Sequence, residues 1–267
     1  MKKTVILQKN NAGVLYEQKG STIQKLVNSH MIHPHVASIL VSKEITQDEA
    51  VHNFLYPLNK NRIHHSSLLR DCDKACSRII SASRNNEKVV IAGDYDVDGM
   101  MASIILGFGL KHLLNIPQFV KLPLREEGYG IKASDVELFH ANGISLIITV
   151  DNGTSAHEAL QRARELGIDV IVTDHHEVSS TFPSCFAFVN PKRPDCTYPF
   201  KNICGAVVAL KIVELLMIKI LGKVDGEYHN VLLQYAGIAT IADMMPLIDE
   251  NRTIVSFCIE LLKSPVL

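Results

Sequence analysis

The sequence predicts an α/β fold: a mostly parallel β-sheet flanked by helices, preceded by a helical N-terminal extension. Three observations carry this expectation. From about residue 86 onward, short apolar runs alternate with longer segments of helical spacing. Runs such as "KVVIAGD" and "IDVIVTD" are apolar at nearly every position, as suits strands covered on both faces. Three of the runs end in acidic or imidazole side chains, and ligand sites in open parallel sheets lie beyond the carboxyl ends of the strands.

Residues 1 to about 85 form the extension. "IQKLVNSHMIHPHVASILVSKEI" combines helical apolar spacing with a break at Pro34. "TQDEAVHNFL" has the form of a capped helix, with Thr46 as N-cap and Glu49 completing a capping box. "DCDKACSRIISASR" is an amphipathic helix. Residues 86–267 form the second domain. Strand "KVVIAGD" leads into helix "MMASIILGFGLKHLL". "QFVKLPL" is followed by "KASDVELFHANG", a helix closing at Gly143. "ISLIITVD" is followed by helix "SAHEALQRARELG", "IDVIVTD" and "CFAFVN" are further strands, and helices "GAVVALKIVELLMIKIL" and "HNVLLQYAGIATIA" come next. Strand–helix alternation implies right-handed crossovers and parallel pairing.

The chain has 267 residues, 47% hydrophobic and 21% charged, a composition that excludes a disordered or fibrous class. The formal net charge of −1 gives no global basic field, so nucleic-acid contact must be local. The opening "MKKTVILQKNNAG" has only "VIL" as an apolar core, which argues against a signal peptide. No run is expected to approach membrane-spanning length. The six cysteines include no CxxC, and Cys72 and Cys76 lack a second pair for zinc. The expectation is a cytoplasmic protein with reduced, buried thiols.

The strand ends carry the chemistry. "GDYDVDG" places Asp94, Asp96 and Asp98 at alternate positions, "DNG" brings Asp151, and "DHH" brings Asp174, His175 and His176. Asp243, in "ATIADMMPL", can join them. Clustered carboxylates in a partly dry crevice repel one another and need basic residues or metal ions. No lysine or arginine lies inside these motifs. A set of aspartates with histidine suits manganese, iron, zinc or magnesium. The number of ligands exceeds the needs of one ion and points to two metals sharing a bridging carboxylate, an arrangement that activates water and clamps phosphate oxygens. His64, His65, Cys196 and Cys204 lack such company and are read as structural.

"GDYDVDG", "IITVDNG", "VIVTDHHE", "VNPKRPDCTYPF", "CGAVVALK" and "IADMMPLIDENR" follow one another in the order found in the DHH phosphoesterase superfamily, which the chain resembles from about residue 20 onward. Within it the sequence resembles the bacterial RecJ-type exonucleases, and "LREEGYG" is RecJ-like too. The resemblance implies a DHH-type, Rossmann-like fold. It also implies 5′→3′ hydrolysis of single-stranded DNA by two divalent ions, Mn²⁺ preferred and Mg²⁺ possible, in DNA repair and recombination. Asp96, Asp98, Asp151, His175 and Asp243 become metal ligands, with Asp151 bridging and Asp94 the member closest to a structural role. Asp174 orients the histidines, and His176 faces the phosphate. Arg125, Lys192 and Arg193 become phosphate contacts, Asn152 a substrate contact, and Gly205 the opening of a helix whose free N–H groups hold an anion. Arg252 is read as surface charge.

Two departures stand out. "DVDG" is followed by Met100, Met101 and Ala102 where RecJ-type chains commonly have a small residue and then Thr-Ser. The chain also stops at "IELLKSPVL", before the DHHA1 lobe and OB domain of the family, so weak or non-processive action is expected. Alternative expectations are hydrolysis of short oligonucleotides or cyclic dinucleotides, and a non-catalytic scaffold. Expected partners are single-stranded DNA or short oligonucleotides, and no membrane.

Overall fold

A computed structural model describes residues 20–263. The opening "MKKTVILQKNNAG" and the final "SPVL" lie outside the described residues. The chain forms two compact units, one ending at Asn59 and one beginning at Lys60.

The first unit holds helices α1 (Gly20–His30), α2 (Pro34–Ser42) and α3 (Asp48–Leu55). Pro34 starts α2 rather than interrupting it, and the Nδ1 of His33 accepts the His35 N–H at 3.2 Å as a cap. Ile23, Leu26, Ala37, Leu40, Val41 and Val51 form its core. The expected capping box at Thr46 is corrected: the N-cap is Gln47, with no side-chain cap, and Asp48 and Glu49 sit in the first turn, where the helix dipole favours acidic groups.

The second unit begins before the boundary expected at residue 85. Helix α4 (Cys72–Arg84) belongs to it, because its apolar face of Cys72, Ala75, Cys76, Ile79 and Ala82 packs into the α/β core. Next come β1 (Lys88–Ala92), α5 (Val97–Leu114), β2 (Gln118–Lys121), α6 (Ala133–Ala141), β3 (Ile144–Val150), α7 (His157–Glu165), β4 (Asp169–Thr173) and β5 (Ala187–Val189). Helices α8 (Gly205–Leu221), α9 (Gly226–Ala242) and α10 (Asp249–Lys263) complete the unit. The five strands pair in the order β2-β1-β3-β4-β5, all parallel.

The alternation of strand side chains explains why the apolar runs are continuous. Val89, Ile91, Leu146, Ile148 and Ile171 face one core with α4, α5 and α8, while Val90, Ala92, Ile147, Val170 and Val172 face another with α6 and α7. Helix α8 is buried at every residue from Gly205 to Met217, so it shows no polar face. Helix α5 departs from the expectation that no stretch is long enough to span a membrane: its 18 residues pass by length and composition. It packs against α8 and α9, as a core helix does. Helix α10 was not foreseen, and its buried Ile254, Val255 and Cys258 form one stripe.

Close approach of α5 to α8 requires Gly109, where a Cβ would stand 2.6 Å from a Val213 methyl. Gly109→Ala is expected to lower stability by about 1–3 kcal/mol in denaturant titration. Adding Val213→Ala should restore part of that loss. Equal stability of Gly109→Ala and the parent would contradict this packing.

Candidate metal centre

The carboxyl ends of β1, β3 and β4 converge because they are adjacent in the sheet. Each strand end is held by hydrogen bonds that the motif residues supply. The Asn152 amide donates to the carbonyls of Ala92 and Val150, both at 2.9 Å, tying the ends of β1 and β3 together. The Thr173 hydroxyl donates to the Thr149 carbonyl at 2.7 Å, and the Thr149 hydroxyl to the Asn152 carbonyl at 2.7 Å. Asp151 itself sits in the left-handed region at φ +61, a conformation that aspartate tolerates better than most residues. Gly99 is required because a Cβ there would meet the Asp94 backbone at 2.6 Å.

Three overlapping groups result, each with ligand atoms within 4.8 Å of one another: Asp94, Asp96 and Asp151; Asp98, His175 and Asp243; Asp151, His175 and His176. The His175 Nε2 lies 3.1 Å from Asp151 Oδ1, 3.5 Å from Asp98 Oδ2 and 3.6 Å from Asp243 Oδ2. Asp94, read from the sequence as the most structural of the three motif aspartates, is buried beside the others. Asp96 is exposed and caps α5, its Oδ1 accepting the Gly99 N–H at 2.9 Å.

Two further aspartates are neutralised by the protein. Asp98 accepts the Gly205 N–H at 2.6 Å and the Ala206 N–H at 2.8 Å, at the start of α8. The helix N-terminus does hold an anion, as expected at Gly205, but that anion is the Asp98 carboxylate and not a substrate phosphate. Gly205 is needed for a second reason, since a Cβ would lie 2.6 Å from that of Asp151. Asp174 accepts the N–H of His175 and of His176, the Nδ1–H of His176 at 2.7 Å, and the Thr154 N–H at 2.9 Å. Burial alone would raise its pKa, but the His176 and Thr154 hydrogen bonds outweigh it and bring the group down to about 2. Asp174 therefore orients the histidines. The same bond, with the Asp174 charge, raises the His176 pKa against its burial.

Asp151 and Asp243 have no such relief. Burial, then the charges of Asp98 and Asp96, push Asp151 up to about 11 and Asp243 to about 6. Burial also raises Asp94, aided by Asp96. Buried atoms without a hydrogen-bond partner gather here: Asp94 Oδ1, Asp151 Oδ1, His175 Nδ1 and Asp243 Oδ2. Orphaned oxygens and repelling carboxylates around one histidine nitrogen fit divalent cations with hard oxygen and imidazole ligands.

Among the expected substrate contacts, Lys192 stays near this site, its Nζ 2.9 Å from Glu177, and Arg125 is exposed with its guanidinium 5.7 Å from the Tyr95 ring centroid. Arg193 is removed from that set. It is buried, donating to Asp71 and Asp195 at 2.8 Å and to the Phe188 carbonyl, so it braces the "NPKRPD" turn. Asn152 is fully buried, its amide N–H groups tie the strand ends, and its Oδ1 has no hydrogen-bond partner. Arg252 lies on α10. His64 and His65 are structural, as read: His64 pairs with Asp249 at 2.7 Å and His65 caps a short turn. Sequence reasoning missed Tyr129, whose hydroxyl donates to the Asp151 carbonyl at 2.8 Å and stands 3.2 Å from the His176 Nδ1. It also missed Asn190, which donates to the His176 carbonyl at 3.0 Å. The signals were present: Tyr129 lies between Gly128 and Gly130, both at positive φ, and Asn190 ends the "FVN" run.

The DHH family N-terminal domain matches residues 88–242, the span from β1 to the end of α9. The chain belongs to the DHH family. It is 37% identical over 241 residues to the single-stranded-DNA-specific exonuclease RecJ of Bacillus subtilis, covering 90% of this chain and 30% of that protein. Its structure is similar to that of exonuclease RecJ bound to manganese, with a TM-score of 0.65 and 32% identity, covering 72% of this chain and 48% of that one. It is also similar to RecJ in complex with Mn²⁺ from Thermus thermophilus, with a TM-score of 0.73 and 26% identity over 92% of this chain and 34% of that one.

The raised carboxylates set a pH dependence. Asp151 and Asp243 keep protons in the metal-free fold above the unfolded value of about 3.9, so folded protein binds more protons than unfolded. Stability is therefore highest near and below that value and is lost as pH rises, at up to about 1.4 kcal/mol per pH unit per retained proton. Asp243 contributes up to about pH 6 and Asp151 to about pH 11. Thermal melts of metal-free protein between pH 5 and 8, roughly the usual working range, should show a falling Tm, and saturating Mn²⁺ should raise Tm more at the higher pH. A metal-induced rise that is flat or inverted with pH would contradict the clustering. Gly205→Ala should weaken Mn²⁺ binding by about tenfold or more in calorimetry, since it drives a methyl into Asp151.

Proposed function

We infer that this chain is the metal-binding lobe of a RecJ-type nuclease, a phosphodiesterase acting on single-stranded DNA from the 5′ end. The observation that carries the reading is the three overlapping ligand groups sharing Asp151 and His175, with orphaned oxygens pointing among them. The names of the relatives support the substrate class, and manganese in their structures supports the ion. The chain spans about a third of the length of the Bacillus subtilis and Thermus thermophilus proteins, so turnover and directionality in this chain form part of the proposal.

The roles follow from position. Asp94, Asp96 and Asp151 would hold one divalent ion, and Asp98, His175, Asp243 and Asp151 the other, with Asp151 shared between them. When bound, Mn²⁺ or Mg²⁺ would supply an acidified water and neutralise charge on the phosphate oxygens. His176, with its Nδ1–H fixed on Asp174 and its side chain about half exposed, presents Nε2 outward to a phosphate oxygen. Tyr129 holds the Asp151 backbone and the His176 ring in place. Lys192 and Arg125 are the basic groups available to a phosphate backbone at this rim. We place the activity in DNA repair and recombination in the cytoplasm.

Nuclease assays on 5′- and 3′-labelled single strands with Mn²⁺, Mg²⁺ or chelator test the reading. Activity should require metal and release nucleotides from the 5′ end. Asp151→Asn should lower turnover by roughly a thousandfold or more. It should also raise the Tm of the metal-free protein near neutral pH, because it removes the cost of keeping a proton on the buried Asp151 while tolerating the left-handed backbone. Wild-type activity in Asp151→Asn, at controlled metal, would overturn the assignment. Rapid cleavage of a dinucleotide with none of a long strand would move the substrate class to short oligonucleotides.

A further inference from the structure

Asp243 closes helix α9, and the next residue, Met244, takes a left-handed conformation at φ +54. The Met245 N–H donates to the Thr240 carbonyl at 3.1 Å, which completes a Schellman turn. That position favours glycine, because a Cβ there crowds the backbone. Methionine is strained in it, and no buried contact offsets the strain, for Met244 is 90% exposed. Ile241, Leu247 and Ile248, around the same turn, are exposed as well. An apolar patch thus begins one residue from Asp243, whose Oδ2 is 3.6 Å from His175 Nε2.

We propose that Met244 is a base-contact residue: when a phosphodiester lies at the metal centre, the nucleobase next to it packs on the Met244 thioether. The inference rests on the phosphodiesterase reading and names how that site would hold its substrate. Adjacent Cα atoms are about 3.8 Å apart, so a side chain following a metal ligand is within reach of the nucleoside attached to the bound phosphate. Thioethers make favourable contacts with aromatic rings, and every base has such a face, so the contact tolerates any sequence. The patch comprises Ile241, Met244, Leu247 and Ile248, while a stable protein interface takes about 20–30 residues a side.

The test measures binding of a short phosphorothioate-linked oligothymidylate, and of the same strand abasic throughout, by fluorescence anisotropy with Mn²⁺. The parent should bind the base-bearing strand about fivefold more tightly. Met244→Gly should lose that preference, bind the abasic strand as the parent does, and melt at a higher temperature because the left-handed strain is gone. A parent that binds both strands equally, or a Met244→Gly that keeps the preference, would overturn the inference. So would an equal loss of affinity for both strands, which would assign the patch to the backbone or to a protein contact. Base-dependent binding that Met244→Gly abolishes supports the inference even if the parent leaves a phosphodiester strand uncleaved, an outcome that sinks only the catalytic reading.

Discussion

Mutual repulsion among carboxylates at the carboxyl ends of β1, β3 and β4 is the constraint on which the rest of this structure depends. Asp98, Asp151 and Asp243 converge on His175, and Asp94 and Asp96 converge on Asp151, in a crevice where most of them are buried. Burial strengthens every charge interaction, so the arrangement is unfavourable unless something positive enters it. The fold supplies part of the compensation from its own backbone. The start of α8 gives two N–H groups to Asp98, and the "DHH" turn with Thr154 satisfies Asp174. What it leaves uncompensated lies between Asp94, Asp151 and Asp243, where the orphaned oxygens are.

This division explains features that otherwise look unrelated. Helix α8 is buried on all sides from Gly205 to Met217, with its N-terminus at the centre of the molecule, where it meets Asp98. Gly205 and Gly99 occur where a Cβ would press on Asp151 or on the Asp94 backbone. Asp174 keeps its charge at low pH while neighbouring Asp151 is pushed far up, so carboxylates on adjacent strands take opposite roles. One orients imidazoles, and the other is the carboxylate that we propose a cation would neutralise.

Much of this was legible in the sequence. Continuous apolar runs ending in "GDYDVDG", "DNG" and "DHH" located the sheet and the converging ligands, because parallel polarity follows from βα alternation and brings the carboxyl ends of the strands to one edge. The orienting role of Asp174 was implied by the resemblance to the DHH phosphoesterases. The remainder depended on three-dimensional partners that no local pattern reveals. Arg193 was an attractive phosphate contact until Asp71, distant in sequence, proved to hold it. Gly205 faces a carboxylate brought from α5, and Tyr129 reaches the centre across a loop. Period-two alternation puts Asp94 and Asp96 on one side of an extended segment, and the turn into α5 suggested that Asp94 would be the more structural of the two, yet Asp94 stays in one group with Asp96 and Asp151.

The central claim is that Asp151 joins two cations. Electron paramagnetic resonance during Mn²⁺ titration tests it most directly. The account predicts two ions per chain, with an exchange-coupled spectrum at saturation that Asp151→Asn converts to that of isolated Mn²⁺. Binding of one uncoupled ion, or coupling that survives Asp151→Asn unchanged, would contradict it.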